Sequence, residues 1–239
     1  MNSDSRPIII PIIILLIVVT ACGCAWFFFV LPPAAGKGEC DPYRVIAHNG
    51  SAMLLNEANR QLDRMNSSNY THATSVDEMN GSYWYDCSGF AGYALARADP
   101  CAFSALMHKR PDAADFYYDF IQFKPVPGKA GWMRVPTPAE LRPGDLIAWL
   151  TPESSDADST GHIMIVAGSP VENPGRSGEM LVQVIDSTLS AHADDTRGPG
   201  QTGLGKGTIG IMTQPQGYYW RGGESRVLQE TEMVFARIA

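Results

Sequence analysis

Asp86-Cys87-Ser88-Gly89-Phe90 brings together the residue types of an acyl-transfer site. The run after it, 91–98, reads as a helix that stops before Pro100. Asp86 suits the N-cap, where its carboxylate can accept orphan amide protons of the first turn. Cys87 then takes the first helical position, where the positive end of the helix dipole favours thiolate over thiol. A lone cysteine is more often a small buried packing residue. A nucleophilic cysteine needs a base within reach and a group that orients the base. His162 opens the strand-like run Gly161-His162-Ile163-Met164-Ile165-Val166, and Asp186 ends the next one, Val182-Gln183-Val184-Ile185-Asp186. A carboxylate beside the imidazole would fix its tautomer and stabilise the imidazolium. His192, Asp194 and Asp195 stand close enough in sequence to substitute for Asp186.

Helices lead and strands follow. Leu54, Leu55, Ala58, Leu62 and Met65 recur at helical spacing after Ser51, a plausible cap. Residues 66–80 are polar and read as loop. Residues 102–107 and 113–123 read as short helices, with Phe116, Tyr117, Phe120, Ile121 and Phe123 forming an apolar face suited to core packing. Residues 132–135 could form a strand. Five short apolar or alternating runs, 146–150, 162–167, 181–185, 208–212 and 233–238, predict an antiparallel sheet. The acidic run 153–158 reads as a solvated hairpin loop. Residues 200–206 fit the start of a phosphate-binding loop, but Gly207 stands where Ser or Thr is needed and no strand-then-helix context surrounds it. That stretch reads as a flexible loop.

The order D-C-S-G-F, then Arg142-Pro143-Gly144-Asp145-Leu146-Ile147, then G-H-I-M-I-V, resembles the NlpC-type cell-wall cysteine peptidases of the papain-like superfamily. The resemblance covers residues 45–239 loosely and three short blocks closely. It implies an α+β fold in which N-terminal helices, the nucleophile at a helix N-terminus, pack on an antiparallel sheet of about five strands. It implies a Cys87–His162–Asp186 triad that cleaves an amide in the peptide stem of peptidoglycan without metal or organic cofactor. Offering Asp at the third position departs from the family's usual His, Asn or other polar residue. Family members also carry a tyrosine upstream of the cysteine that helps to hold the oxyanion. Tyr70 is the match, in a different local context, with Tyr83 and Tyr85 as alternatives. Ser88 matches the family block and either supports the site or caps the helix turn. A related amidase or acyltransferase on another envelope amide or lipid, and a non-catalytic wall-binding module, are the competing readings.

The formal net charge is −7, from 18 basic and 25 acidic residues. That balance, without a basic patch, argues against a nucleic-acid partner. Residues 8–31 are almost wholly apolar, long enough for an export signal or a membrane span. Val19-Thr20-Ala21-Cys22 looks like a lipobox with Cys22 as the lipidated residue, yet the chain stays apolar beyond it. Lipid anchor and uncleaved span both remain open, and both set the domain outside a bacterial cytoplasm beside a membrane. The expected organisation is an anchor (1–31), a linker (32–39) and a catalytic domain (40–239) acting as a monomer. Cys40 and Cys101 either form a disulfide or stay as free thiols.

Overall fold

Asp86 starts the central helix as its residue type predicts: the carboxylate accepts the Gly89 amide at 2.7 Å, and helix α2 runs Cys87–Ala98. Phe90, Ala91, Ala94, Leu95 and Ala98 line its buried face at helical spacing. The computed structural model describes residues 40, 49–151, 159–215, 217–222, 225 and 227–239. The expected anchor, with Cys22, the linker and the acidic run 153–158 lie outside the described residues. Cys40–Ala239 is one compact unit. Among the described residues, no helix is long and apolar enough to cross a membrane.

Helix α1 (Gly50–Arg64) precedes α2, and its cap is Asn49, which accepts the Ala52 amide at 3.1 Å. Ser51, the expected cap, lies inside the helix and accepts the Ile238 amide instead. Residues 66–80, read as loop, contain two short strands. Here β1 (Ser67–Asn69), β2 (Ser75–Asp77) and β3 (Ser82–Trp84) form a small sheet in the order β1-β3-β2. Three-residue polar strands carry no apolar alternation, so nothing in the composition marks them. Helices α3 (Pro100–Ser104) and α4 (Ala113–Gln122) follow α2. Phe116 and Phe120 of α4 are buried, and Phe120 meets Trp132 with ring centroids 5.4 Å apart, so the aromatic face is core. Each such ring contributes roughly 1.5–3 kcal/mol through burial.

The large sheet has nine strands, where about five were expected. Its order is β11-β10-β9-β8-β6-β5-β12-β4, with β7 pairing β8. The five expected runs are β5 (Leu146–Leu150), β6 (Gly161–Val166), β8 (Glu179–Thr188), β9 (Gly203–Gln214) and β12 (Met233–Ile238). Residues 132–135, read as able to form a strand, are β4 (Trp132–Val135), and the additions are β7 (Val171–Glu172), β10 (Gly217–Gly222) and β11 (Gln229–Thr231). Strand β10 is half-buried along its whole length, so it lacks the in–out pattern that reveals a strand. Every pairing in this sheet is antiparallel.

Residues 200–208, expected as flexible loop, run into β9 from Gly203 onward. Glycine weakens a strand and leaves no side-chain pattern. Here it makes room: a Cβ at Gly205 would lie 2.4 Å from Arg197 Nε, and one at Gly207 would lie 2.7 Å from His192 Cβ.

The pleat divides the core. Leu146, Ala148, Ile163, Ile165 and Ile185 pack with the helices. Ile147, Trp149, Met164, Val166, Val182 and Val184 form a second cluster on the other face. Helix α2 packs on β6 and β8, the strands carrying His162 and Asp186. Asp145 of the Arg-Pro-Gly-Asp turn is buried, takes the Arg142 amide at 2.7 Å and pairs with Arg237 of β12, so that block anchors β5. Cys40 and Cys101 are bonded, Cα atoms 5.4 Å apart, fastening the start of the unit to α3.

Candidate functional site

Cys87 is the free cysteine among the described residues, and it is buried at the N-terminus of α2. Its neighbours hold that end still. Asp86 Oδ1 accepts Gly89 N and, at 2.9 Å, Ser88 Oγ, while Oδ2 meets His72 Nδ1 at 3.0 Å. Ser88 therefore braces the helix cap, the plainer of its two expected roles. From the opposite element, Ser187 Oγ donates to the Tyr85 carbonyl at 2.6 Å. That bond ties the residue after Asp186 to the turn before Cys87.

His162 Nε2 lies 2.7 Å from Asp186 Oδ2, which fixes the tautomer because a carboxylate can only accept. Nδ1 is left for another partner. Cys87 acts on the same imidazole, both by its charge and by a side-chain hydrogen bond. Burial lowers the His162 pKa, but the Cys87 charge, the Asp186 hydrogen bond and the Cys87 hydrogen bond outweigh it and raise it to about 10. His162 also lies against Trp149, ring centroids 5.3 Å apart, opposite it in the β5–β6 register. The structure thus bonds His162 to Asp186.

Asp186 is fully buried and serves more groups than sequence reasoning gave it. Oδ2 accepts His162 Nε2 and also His192 Nε2, at 2.8 Å, while Oδ1 accepts Arg197 Nη2 at 2.9 Å. Burial raises its pKa, and the hydrogen bonds from His162 and His192 reverse that and hold it well below the usual carboxylate range. Arg197 is itself buried and held by Asp195 and by the Gly203 carbonyl. His192 and Asp195, considered as substitutes for Asp186, support it. Arg197 was missed altogether. Its signal was available in the small residues of β9, which face a short loop rich in charge.

His162, Asp186 and His192 offer ligand atoms within 4.8 Å of one another, as a metal site would, and Cys87 is not among them. The fit to a cation is poor. Both imidazoles already donate to one carboxylate oxygen, and the Arg197 guanidinium occupies the other.

Tyr70 borders the site. Burial first, then the negative charges of Cys87, Asp86 and Asp186, push its phenol up to about 12, so it remains a hydrogen-bond donor at neutral pH. The alternatives belong to the core: Tyr83 and Tyr85 are buried, and Tyr85 donates to Gln61 at 2.8 Å. Tyr70 and His162 wall a cleft of about 400 Å³ with Trp149, Trp220 and His192. A second cleft of about 740 Å³ is walled by Asp86, Ser88 and Gly89, the chain neighbours of Cys87, with His72, Lys109 and Arg110. No protein-family model, curated protein or solved structure matches the chain.

Proposed function

We propose that this chain is a cysteine hydrolase of papain-like architecture that cleaves amide bonds in peptidoglycan stem peptides outside the bacterial cytoplasm. The observation that carries the reading is a single imidazole, His162, shared by a carboxylate at Nε2 and by a cysteine at a helix N-terminus. A structural cysteine needs no such partner. The raised pKa of His162 favours an imidazolium beside a thiolate at neutral pH.

The thiolate sulfur attacks the amide carbonyl carbon and pushes its π electrons onto oxygen. The Cys87 amide, free of an intrahelical acceptor at this position, and the Tyr70 hydroxyl are the donors for that oxyanion. As the oxyanion collapses the C–N bond breaks, His162 gives its proton to the leaving amine, and a thioester remains. His162, now neutral, takes a proton from water, whose oxygen attacks the thioester. Cys87 leaves as thiolate, the imidazolium is restored and a carboxylic acid is released. No step calls for a cofactor.

The apolar run 8–31 supports membrane attachment, either through a lipid on Cys22 or as a span. The Cys40–Cys101 disulfide suits an oxidising compartment. The deciding experiment digests purified peptidoglycan with the protein and identifies the fragments by mass spectrometry. Stem-peptide fragments are expected from the wild type and none from Cys87→Ala. Sedimentation with the wall without any release of fragments would reassign the chain as a wall-binding module.

A further inference from the structure

Ser187 follows Asp186 on β8 and is fully buried, yet the chemistry at Cys87 gives it no part. A buried hydroxyl needs a partner. Ser187 Oγ gives its proton to the Tyr85 carbonyl at 2.6 Å, at the short end for an O–H···O bond. Tyr85 stands two residues before Cys87, and its other polar groups are tied down as well. Its amide donates to the Asn69 carbonyl of β1 at 3.3 Å, and its phenol donates to Gln61 of α1 at 2.8 Å. The Thr71 amide also approaches the Tyr85 carbonyl, but only to 3.4 Å. Tyr85 is thus a buried point fixed from β1, α1 and β8. Two planar peptides join it to Cys87, so a shift of its carbonyl is carried to the start of α2.

The nucleophile and its base come from different elements, and something must set the distance between them. Helix α2 packs on β6 and β8 through its apolar face. Apolar packing is non-directional, so it does not fix how far along the strands the helix end lies. A hydrogen bond has a set length and direction. From Cys87 the chain leads back to Tyr85, whose carbonyl meets Ser187. Ser187 adjoins Asp186, which holds His162 at 2.7 Å, and His162 in turn shares a hydrogen bond with Cys87. Those links close a ring through the nucleophile, the base and the group that orients the base.

We propose that Ser187 is a positioning residue: its bond to the Tyr85 carbonyl holds the start of α2 at reacting distance from the imidazole that Asp186 orients. The assignment rests on the cysteine-hydrolase reading of the Cys87 site. Ser68 supplies the comparison. Its Oγ donates to the Tyr83 carbonyl at 2.7 Å and accepts the Leu204 amide at 2.7 Å. That is the same kind of link between strand and backbone, but it joins β1 and β9 to β3 and lies outside the ring.

The test compares the full chain as wild type, Ser187→Ala, Ser187→Thr, Ser68→Ala and His162→Ala. Initial rates against peptidoglycan concentration separate turnover from half-saturation. Iodoacetamide at pH 7, followed on the Cys87 peptide by mass spectrometry, reads the sulfur without any substrate. Ser187→Ala is expected to lower turnover by about ten- to a hundredfold with half-saturation little changed, as a small misplacement of reacting groups does. Its alkylation should slow toward the rate of His162→Ala. Ser187→Thr keeps the donor and should stay near wild type in both measurements. Ser68→Ala should lower the urea midpoint but leave both rates near wild type. Unchanged rates in Ser187→Ala, the same losses in Ser68→Ala, or a Ser187→Thr as slow as Ser187→Ala would each overturn the positioning role. The two readings fail separately. Digestion that Ser187→Ala leaves intact keeps the hydrolase and removes the role of Ser187. A wild type that digests nothing, while Ser187→Ala alone of the two alanine variants slows alkylation, removes the hydrolase and keeps the ring.

Discussion

Asp186 has two oxygens and three donors, so its loss reaches further than the orientation of one imidazole. From the sequence, Asp186→Ala is expected to lower turnover with little loss of stability, and His192→Ala to do little. The structure gives both residues a larger share. Removing Asp186 leaves two buried imidazoles and one face of a buried guanidinium without their acceptor. Breaking a buried pair in this way costs about 3–5 kcal/mol. Asp186→Ala should therefore lose turnover and shift the urea midpoint together, whereas Cys87→Ala should lose turnover with a smaller shift of the midpoint. A midpoint for Asp186→Ala within error of wild type would mean that Arg197 and His192 find other partners. Cys87, His162 and Asp186 were legible because each sits at or near the end of an element that its own residues announce. Arg197 was not, and His192 was read only as a substitute for Asp186, since their partners become neighbours only when the loop at 192–197 folds over β9.

At the scale of elements, β9 shows how the site is held and why part of the fold escaped sequence reasoning. Its glycines read as loop because glycine is depleted in strands, yet they are what allow Arg197 and His192 to lie across the strand. The helix of Cys87 had the opposite character: an acidic cap, a regular apolar face and a terminating Asp-Pro made it plain. These two elements contain glycines with contrasting surroundings. A Cβ at Gly205 would stand 2.4 Å from Arg197 Nε, whereas one at Gly92 in α2 would meet nothing closer than Phe103 at 3.7 Å. Gly205→Ala is expected to cost about 1–3 kcal/mol through overpacking and to lower turnover by displacing the guanidinium from Asp186. Gly92→Ala, in a helix and in ordinary contact, is expected to be neutral or to add up to about 1 kcal/mol. Thermal midpoints and turnover of the two variants measure this directly. Equal stability of both would show that Arg197 moves aside at no cost.

Across the whole molecule, the ionisable groups at the site predict how stability follows pH. Asp186, Glu179 and Asp195 all lie below their ordinary pKa, held down against burial by partners that include His162, Arg221 and Arg197 respectively. A carboxylate lowered by folding adds stability above its unfolded pKa, about 4, and that stability is lost as pH falls through the folded value. Asp119 and Asp145 oppose this, because burial raises them and their contribution grows as pH falls. Total stability therefore mixes both signs on the acid side. The alkaline side is cleaner. His162 is raised from 6.5 to about 10, so its contribution is complete below about 6.5 and is lost as pH rises toward 10. Urea midpoints of wild type and His162→Ala, measured from pH 6 to pH 10, should differ most at the acid end of that range and converge at the alkaline end. In the same range the reaction of Cys87 with iodoacetamide is followed against pH in both proteins. His162→Ala should move that reaction upward, because the imidazolium that favours thiolate is gone. A midpoint difference that stays constant across the range, with alkylation unchanged by His162→Ala, would mean that the ring carries no extra proton beside Cys87. The sulfur would then be a packing residue that happens to lie at the end of a helix.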